Sequence, residues 1–182
     1  MESRIRLTSD AQEMLGSVYA SQRRYEEALK AFDDSLRDCP GRSALHRDVA
    51  EVWMHQGNAV EALRWATLAI DVSREEGFAS EEIRDMTRAE NLATLAWAFA
   101  ASRTGIDQIE DLIAEAVKLA SKQPVTVFAQ VHLNIGLAYE ALGDLERSRE
   151  HLSLSSQRDA QGISGRVARE TLASSTTGLR NP

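Results

Sequence analysis

Residues 15–40 read LGSVYASQRRYEEALKAFDDSLRDCP, and this stretch decides the fold. The small residues Gly16 and Ala28 allow two helix backbones to approach closely. The rings of Tyr19 and Phe32 fill the space around that contact. The final proline ends the second helix because it lacks the amide hydrogen that would continue it. The stretch therefore predicts two packed helices joined by a short turn.

The same spacing of small and aromatic residues recurs along the chain. Ala50 follows Gly16 by 34 residues, and Gly136 begins a further match. The second match comprises Ala50, Trp53, Gly57, Ala62, Ala66 and Ala69, and the fourth comprises Gly136, Tyr139, Gly143, Ser148, Leu152 and Ser155. A weaker third match, with one extra residue near Gly105, comprises Ala96, Phe99, Ile109, Ile113 and Ala116. One helix pair cannot bury its own apolar stripe, so we expect the repeats to stack.

This recurring pattern resembles the tetratricopeptide repeat. The resemblance implies an all-α, right-handed α-solenoid of about four helix–turn–helix repeats plus a C-terminal capping helix. Ser9 and Gln12 predict a capping box that opens the first helix. The expected organisation is an N-terminal extension over 1–8, a solenoid over 9–160, a capping helix over 161–174 and a flexible tail over 175–182. The repeats are expected at about 9–42, 43–76, 77–123 and 124–160.

The third repeat is longer than the first two. Its small residue, Ala96, follows Ala50 by 46 residues, which leaves twelve extra residues before it. Ser80 caps the acidic residues that follow it, and Ile83 and Met86 continue the apolar face toward Ala96. The insertion is therefore expected to lengthen the first helix of the repeat, and the fourth repeat is also extended. Such repeats resemble the longer ones of bacterial regulatory proteins, including peptide-sensing phosphatase regulators and large transcriptional activators.

The composition excludes several classes of function. The net charge is −7, and the arginines are interleaved with carboxylates instead of forming the basic stripe typical of nucleic-acid binding. No apolar run is long enough to span a bilayer, and the first residues lack the apolar core of a signal sequence. Cys39 is the only cysteine, which excludes an intrachain disulfide. These observations predict a cytoplasmic protein that binds neither nucleic acid nor membrane.

The sequence contains no recognisable catalytic or metal-binding pattern. The four histidines are scattered, and no two of them stand on one predicted helix at the spacing of metal ligands. No glycine-rich loop of the kind that holds phosphate is present. We therefore predict no enzymatic activity, no cofactor and no metal.

The resemblance implies that the first helix of each repeat lines a concave groove that holds the partner. The groove positions predicted to bind are Glu13, Arg47, Asp48, Glu51, Trp97, Leu133, Asn134 and Leu137. The first half of this set is acidic and the second half is mostly apolar, which predicts a basic protein or peptide partner with an apolar anchor. Trp97 is either the residue that receives this anchor or a core residue, and the sequence leaves both interpretations open.

The predicted function is a noncatalytic protein–protein interaction module. Binding to the acidic C-termini of heat-shock chaperones is not expected, because Glu13, Ser17 and Asp48 stand where the resemblance implies a lysine and two asparagines. Two alternatives are the peptide-sensing regulatory domain of a bacterial signalling or transcription protein and a secretion-type chaperone. The first repeat has no obvious polar cap, so homodimerisation also stays open.

Overall fold

The computed structural model describes residues 2–177, and it describes side chains for residues 8–175. Within these residues the chain is all-α and has no strand. The helices are α1 Glu2–Ser21, α2 Tyr25–Asp38, α3 Ser43–His55, α4 Ala59–Glu75, α5 Glu81–Ser102, α6 Ile106–Ala120, α7 Val125–Leu142, α8 Leu145–Arg158 and α9 Ile163–Thr177. The predicted tail beyond residue 177 lies outside the described residues.

Consecutive helices pack in pairs, which is the helix–turn–helix arrangement that the repeat pattern predicts. The pairs are α1 with α2, α3 with α4, α5 with α6, and α7 with α8. Gly57 and Gly143 end the first helices of two pairs with φ angles of +77° and +83°. Glycine adopts this left-handed conformation at little cost because it lacks a Cβ atom.

The lengthened first helix of the third repeat is α5. It runs for 22 residues, from Glu81 to Ser102. The Oγ atom of Ser80 accepts a hydrogen bond from the backbone N–H of Ile83 at 3.2 Å, so Ser80 is the helix cap that the sequence predicts. The inserted residues therefore continue a helix and do not form a loop.

The start of α1 differs from the prediction. The helix begins at Glu2, so residues 2–8 belong to α1 and are not an extension outside it. Ser9 therefore does not cap this helix. Its Oγ atom lies 2.7 Å from the Oγ of Ser35 on α2, and the Ser35 hydroxyl donates to the backbone oxygen of Ser9 at 2.9 Å. Both serines are fully buried, and they join α1 to α2.

The helices form two compact units, Met1–Phe78 and Ala79–Pro182, which we call unit 1 and unit 2. Unit 1 contains α1–α4 and unit 2 contains α5–α9. An apolar cluster of its own lies in each unit.

The core of unit 1 is built around Phe32, which is 1% exposed and packs with Leu45 and Val52. Gly16 lies directly against this ring, since a Cβ atom built on Gly16 would be 2.6 Å from Cε1 of Phe32. The repeat pattern predicts this contact between a small residue and an aromatic one. Burial of such a ring contributes roughly 1.5–3 kcal/mol to folding.

Unit 2 contains the same kind of contact, between a small and a large residue, in α7 and α8, and it also contains α9. A Cβ atom on Gly136 would be 2.7 Å from Cγ of Leu152, which is 1% exposed. Helix α9 packs against both α7 and α8, and Ala168 is fully buried there. The predicted capping helix over 161–174 is thus α9, although it ends later, at Thr177, within the segment predicted as a tail.

Candidate partner-binding surfaces

The charged residues of α1 and α3 form an ion-paired cluster in unit 1. Arg42, which precedes α3, reaches back to α1 and binds two carboxylates. Its Nη1 atom lies 2.6 Å from Oδ1 of Asp10, and its Nη2 atom lies 2.6 Å from Oε2 of Glu13. Helices α1 and α3 contact each other, so the cluster lies on the first helices of two successive repeats.

Arg47 and Asp48 extend this cluster along α3. Nη2 and Nε of Arg47 lie 2.9 Å and 3.2 Å from Oδ1 of Asp48. The two side chains are only 14% and 16% exposed. Glu51 lies one turn further along the same helix and acts electrostatically on Asp48. The described structure therefore brings together the predicted site residues Glu13, Arg47, Asp48 and Glu51.

Burial dominates the electrostatics of this cluster. It raises the pKa of the Asp48 carboxyl, against the opposing effect of the Arg47 guanidinium, and the nearby Glu51 charge raises it further. Burial also raises the pKa of Glu13, which Arg42 opposes and Asp48 reinforces. The described cluster thus holds four carboxyl groups, Asp10, Glu13, Asp48 and Glu51, and two guanidinium groups, and burial disfavours the charged forms of Glu13 and Asp48.

The predicted site residues of unit 2 do not form an open groove. Trp97 is 7% exposed and Leu133 is 5% exposed. Leu133 packs with Leu152 and Ala168, and the half-buried Leu137 joins the same cluster, so α9 covers both leucines. In this structure these two side chains lie at the contact between α7, α8 and α9, and their predicted role as an apolar anchor site stays a prediction.

Asn134 also has an internal role in unit 2. Its Nδ2 atom donates to Oγ1 of Thr94 on α5 at 2.9 Å, and its Oδ1 atom accepts from Nε2 of Gln130 at 3.1 Å. Gln130 in turn accepts from the Ser164 hydroxyl of α9 at 2.7 Å. At the other end of α9, the Ser175 hydroxyl donates to Glu140 at 3.0 Å. The chain's own last helix thus occupies the α7 face that the sequence assigns to a partner.

A pair of histidines that was not predicted from the sequence joins α7 to α8. Nδ1 of His132 lies 2.8 Å from Nδ1 of His151. The Phe128 ring centroid is 4.2 Å from that of His132. Burial, followed by the nearby His151 and Arg158 charges, lowers the pKa of His132 to about 4. The two histidines stand on either side of the Gly143 turn, which was the signal available in the sequence.

No group of three or more His, Cys, Asp or Glu side chains in the described part of the chain is arranged to hold a metal ion. None of its helices is both long and apolar enough to cross a bilayer. Because burial lowers the pKa of both His132 and His151, the two rings form a neutral, hydrogen-bonded pair near pH 7.

Comparison with known proteins agrees with the repeat pattern. Two family models, both described as tetratricopeptide repeat, match residues 13–75 and 129–161, which together exceed half of the chain. The crystal structure of MamA protein is similar at a TM-score of 0.49 and 17% sequence identity, covering 90% of this chain and 81% of that one. No curated protein matches the chain. The chain is a tetratricopeptide repeat protein, and its repeats indicate a protein–protein interaction module.

Proposed function

We propose that the chain is a noncatalytic adaptor that binds a basic segment of a protein partner along α1 and α3. The observation that supports this most directly is the excess of carboxyl groups over guanidinium groups among the described residues of the cluster. The carboxyl groups of Asp10, Glu13, Asp48 and Glu51 lie around the guanidinium groups of Arg42 and Arg47. Tetratricopeptide repeat proteins are typically noncatalytic, and the resemblance to them implies that the first helix of each repeat lines the binding surface.

A lysine or arginine of the partner would meet favourable charge here. Charge-assisted hydrogen bonds to partly desolvated carboxylates are stronger than those between neutral groups. A partner cation would also favour the ionised forms of Glu13 and Asp48, whose pKa values burial raises. An anionic chain terminus would meet repulsion. The cluster is therefore proposed to select basic segments over acidic ones.

The second candidate is a peptide-sensing regulatory domain, and α9 is the observation that favours it. This helix occupies the α7 face through Ala168 and through hydrogen bonds to Gln130 and Glu140. A peptide that bound Leu133 and Leu137 would have to displace α9. Such displacement would convert binding into a conformational change.

Affinity capture with charge-matched variants tests the adaptor proposal. Wild type, Glu13→Gln/Glu51→Gln and Glu26→Gln/Glu75→Gln are used as bait in lysate of the native host, and bound proteins are identified by mass spectrometry. Both double variants remove two negative charges, but Glu26 and Glu75 are exposed residues of α2 and α4 outside the cluster. We expect a partner that the wild type and the control retain and that the cluster variant loses. Equal retention by all three proteins would refute the assignment to α1 and α3.

A further inference from the structure

A second surface of unit 1 carries features of a binding site. A cleft of about 260 Å³ lies among α2, α3 and α4. Helix α3 packs against both of the other helices. None of the residues of the charged cluster on α1 and α3 lines this cleft. It is therefore a different surface from the one proposed above.

Two tryptophans and two leucines supply the apolar wall of the cleft. Trp53, Trp65, Leu29 and Leu36 all line it. Each is half-buried and packs against the core of unit 1 without being enclosed by it. Tryptophan is enriched among the residues that dominate binding energy at protein interfaces.

The repeat fold itself requires only one of these tryptophans. Trp53 stands at the aromatic position of its repeat, where the first and fourth repeats have Tyr19 and Tyr139. Trp65 stands where those repeats have Ala31 and His151. Ala31 shows that repeat packing does not require a large ring at this position, although the indole of Trp65 also contacts His46, with ring centroids 5.7 Å apart. Its half-exposed location beside the cleft indicates a role in recognition.

Two carboxylates stand at the rim, on different helices. Asp33 of α2 binds Arg37, and Glu61 of α4 binds Arg64, with Oε2 and Nη1 3.3 Å apart. The side chains of these two arginines are 68% and 71% exposed. Exposed ion pairs of this kind are worth only about 0.2–1 kcal/mol, so a partner cation can replace either arginine at small cost. Arg64 itself lines the cleft, and its guanidinium carbon lies 5.8 Å from the Trp65 ring centroid, so a partner cation that replaces Arg64 fits over this ring.

We propose that this cleft binds a partner segment in which one large apolar side chain is flanked by lysine or arginine. The apolar side chain packs between Trp53 and Trp65, and the flanking cations reach Asp33 and Glu61. Pockets for small molecules usually have volumes of about 300–1,000 Å³, so this cleft fits a single large side chain better than a cofactor. The acidic balance of the whole chain, −7, favours the same partner chemistry.

Three capped pentapeptides test the proposal by ¹H–¹⁵N NMR of the full chain. The first has a central phenylalanine between two pairs of lysines, the second replaces the phenylalanine by serine, and the third replaces the lysines by glutamates. The indole N–H signals of Trp53 and Trp65 report on the cleft, and that of Trp97 in unit 2 is the internal control. We expect only the first peptide to shift the signals of Trp53 and Trp65 in a saturable way, with Trp97 unchanged. No shift with the first peptide, or equal shifts with all three, would overturn the proposal.

Two test variants and one control variant distinguish a loss of binding from a loss of folding. Trp65→Ala installs the residue of the first repeat and should weaken binding by roughly tenfold or more, as expected for a tryptophan anchor. Asp33→Asn/Glu61→Gln keeps the side-chain shapes and should weaken binding several-fold and remove most of its salt dependence. Glu26→Gln/Glu75→Gln changes the net charge equally and should bind like wild type. If Asp33→Asn/Glu61→Gln also binds like wild type, the rim has no role and the proposal fails, whatever the behaviour of Trp65→Ala.

Discussion

Acidification should destabilise unit 2 through His132. The pKa of His132 lies at about 4 in the folded chain, compared with an ordinary value of 6.5. Below the ordinary value, the unfolded chain binds a proton that the folded chain still excludes. Stability therefore falls as the pH drops from the ordinary value toward the folded one, and it levels off below both. Applying proton linkage to these values gives a loss of about 2 kcal/mol between about pH 7.5 and pH 5.

The pH dependence can be measured by urea unfolding that is followed through Trp97. In a Trp53→Phe/Trp65→Phe background, Trp97 is the only tryptophan and lies in unit 2. His132→Asn is the comparison variant, because its amide can still hydrogen-bond to His151 but does not titrate. The smaller side chain lowers stability at every pH, so the readout is the slope with pH and not the absolute value.

We expect the stability gap between the parent and His132→Asn to shrink by about 2 kcal/mol on acidification over that range. Burial also lowers the pKa of His151, which gives both proteins some acid sensitivity of the same sign. Only the excess slope of the parent belongs to His132. Parallel pH profiles for the two proteins would show that His132 titrates normally in the folded state and would refute the reasoning.

Three further substitutions test the packing described above. Gly136→Ala gains about 1 kcal/mol of helix propensity but forces Cβ against Leu152, and overpacking costs about 1–3 kcal/mol, so we expect a net loss of up to about 2 kcal/mol in urea unfolding. Ser35→Ala leaves the buried Ser9 hydroxyl poorly satisfied and should cost about 1–2 kcal/mol in the same assay. Ala168→Glu places a charge at a fully buried position of α9. It should speed amide hydrogen exchange throughout this helix while the amides of α3 stay protected.

Each of these substitutions has a matched control. Gly77→Ala adds a Cβ atom that meets nothing within 4 Å, so its stability should equal that of the wild type. Ser9→Ala/Ser35→Ala removes both hydroxyls and should cost less than the sum of the two single changes. Ala173→Glu adds the same charge at an exposed position of α9 and should leave exchange unchanged. Equal stability of Gly136→Ala and Gly77→Ala, equal exchange in Ala168→Glu and Ala173→Glu, or a cost of Ser9→Ala/Ser35→Ala equal to the sum of its single changes would contradict the contact concerned.

The repeat spacing predicted the contacts that recur and missed those that occur once. Gly16 against Phe32 and Gly136 against Leu152 follow from the rule that a small residue faces a large one. Both belong to segments that the family models match. The third repeat is matched by neither model, although α5 and α6 form the same kind of pair. Its inserted residues alter the spacing but preserve the helix pairing.

The start of α1 was missed because a serine with a glutamine three residues later is a common cap pattern. The pattern cannot show that Ser35 lies opposite Ser9 and forms a hydrogen bond with its hydroxyl group. The His132–His151 pair was missed for a related reason. Contacts between helices depend on the rotation of each helix about its axis, and no single helix carries that information.

The sequence predicted where the proposed binding residues lie on the helices, but it did not predict which of their side chains are exposed. Glu13, Arg47, Asp48 and Glu51 are brought together in unit 1 as the spacing implies, and their role in binding stays a prediction. Leu133 and Leu137 were placed correctly on α7, but the sequence does not show which helix lies over them. The amphipathic pattern of α9 fits an end cap equally well whether or not it covers a predicted binding face.

The division into two units after Phe78 affects how a destabilising substitution acts on the rest of the chain. Because each unit has an apolar cluster of its own, we expect a destabilising substitution to open its own unit before the other. A cell would then meet a molecule in which one unit is folded and the other has exposed the side chains of its apolar cluster. Such a species is a better substrate for chaperones and proteases than its overall stability would suggest.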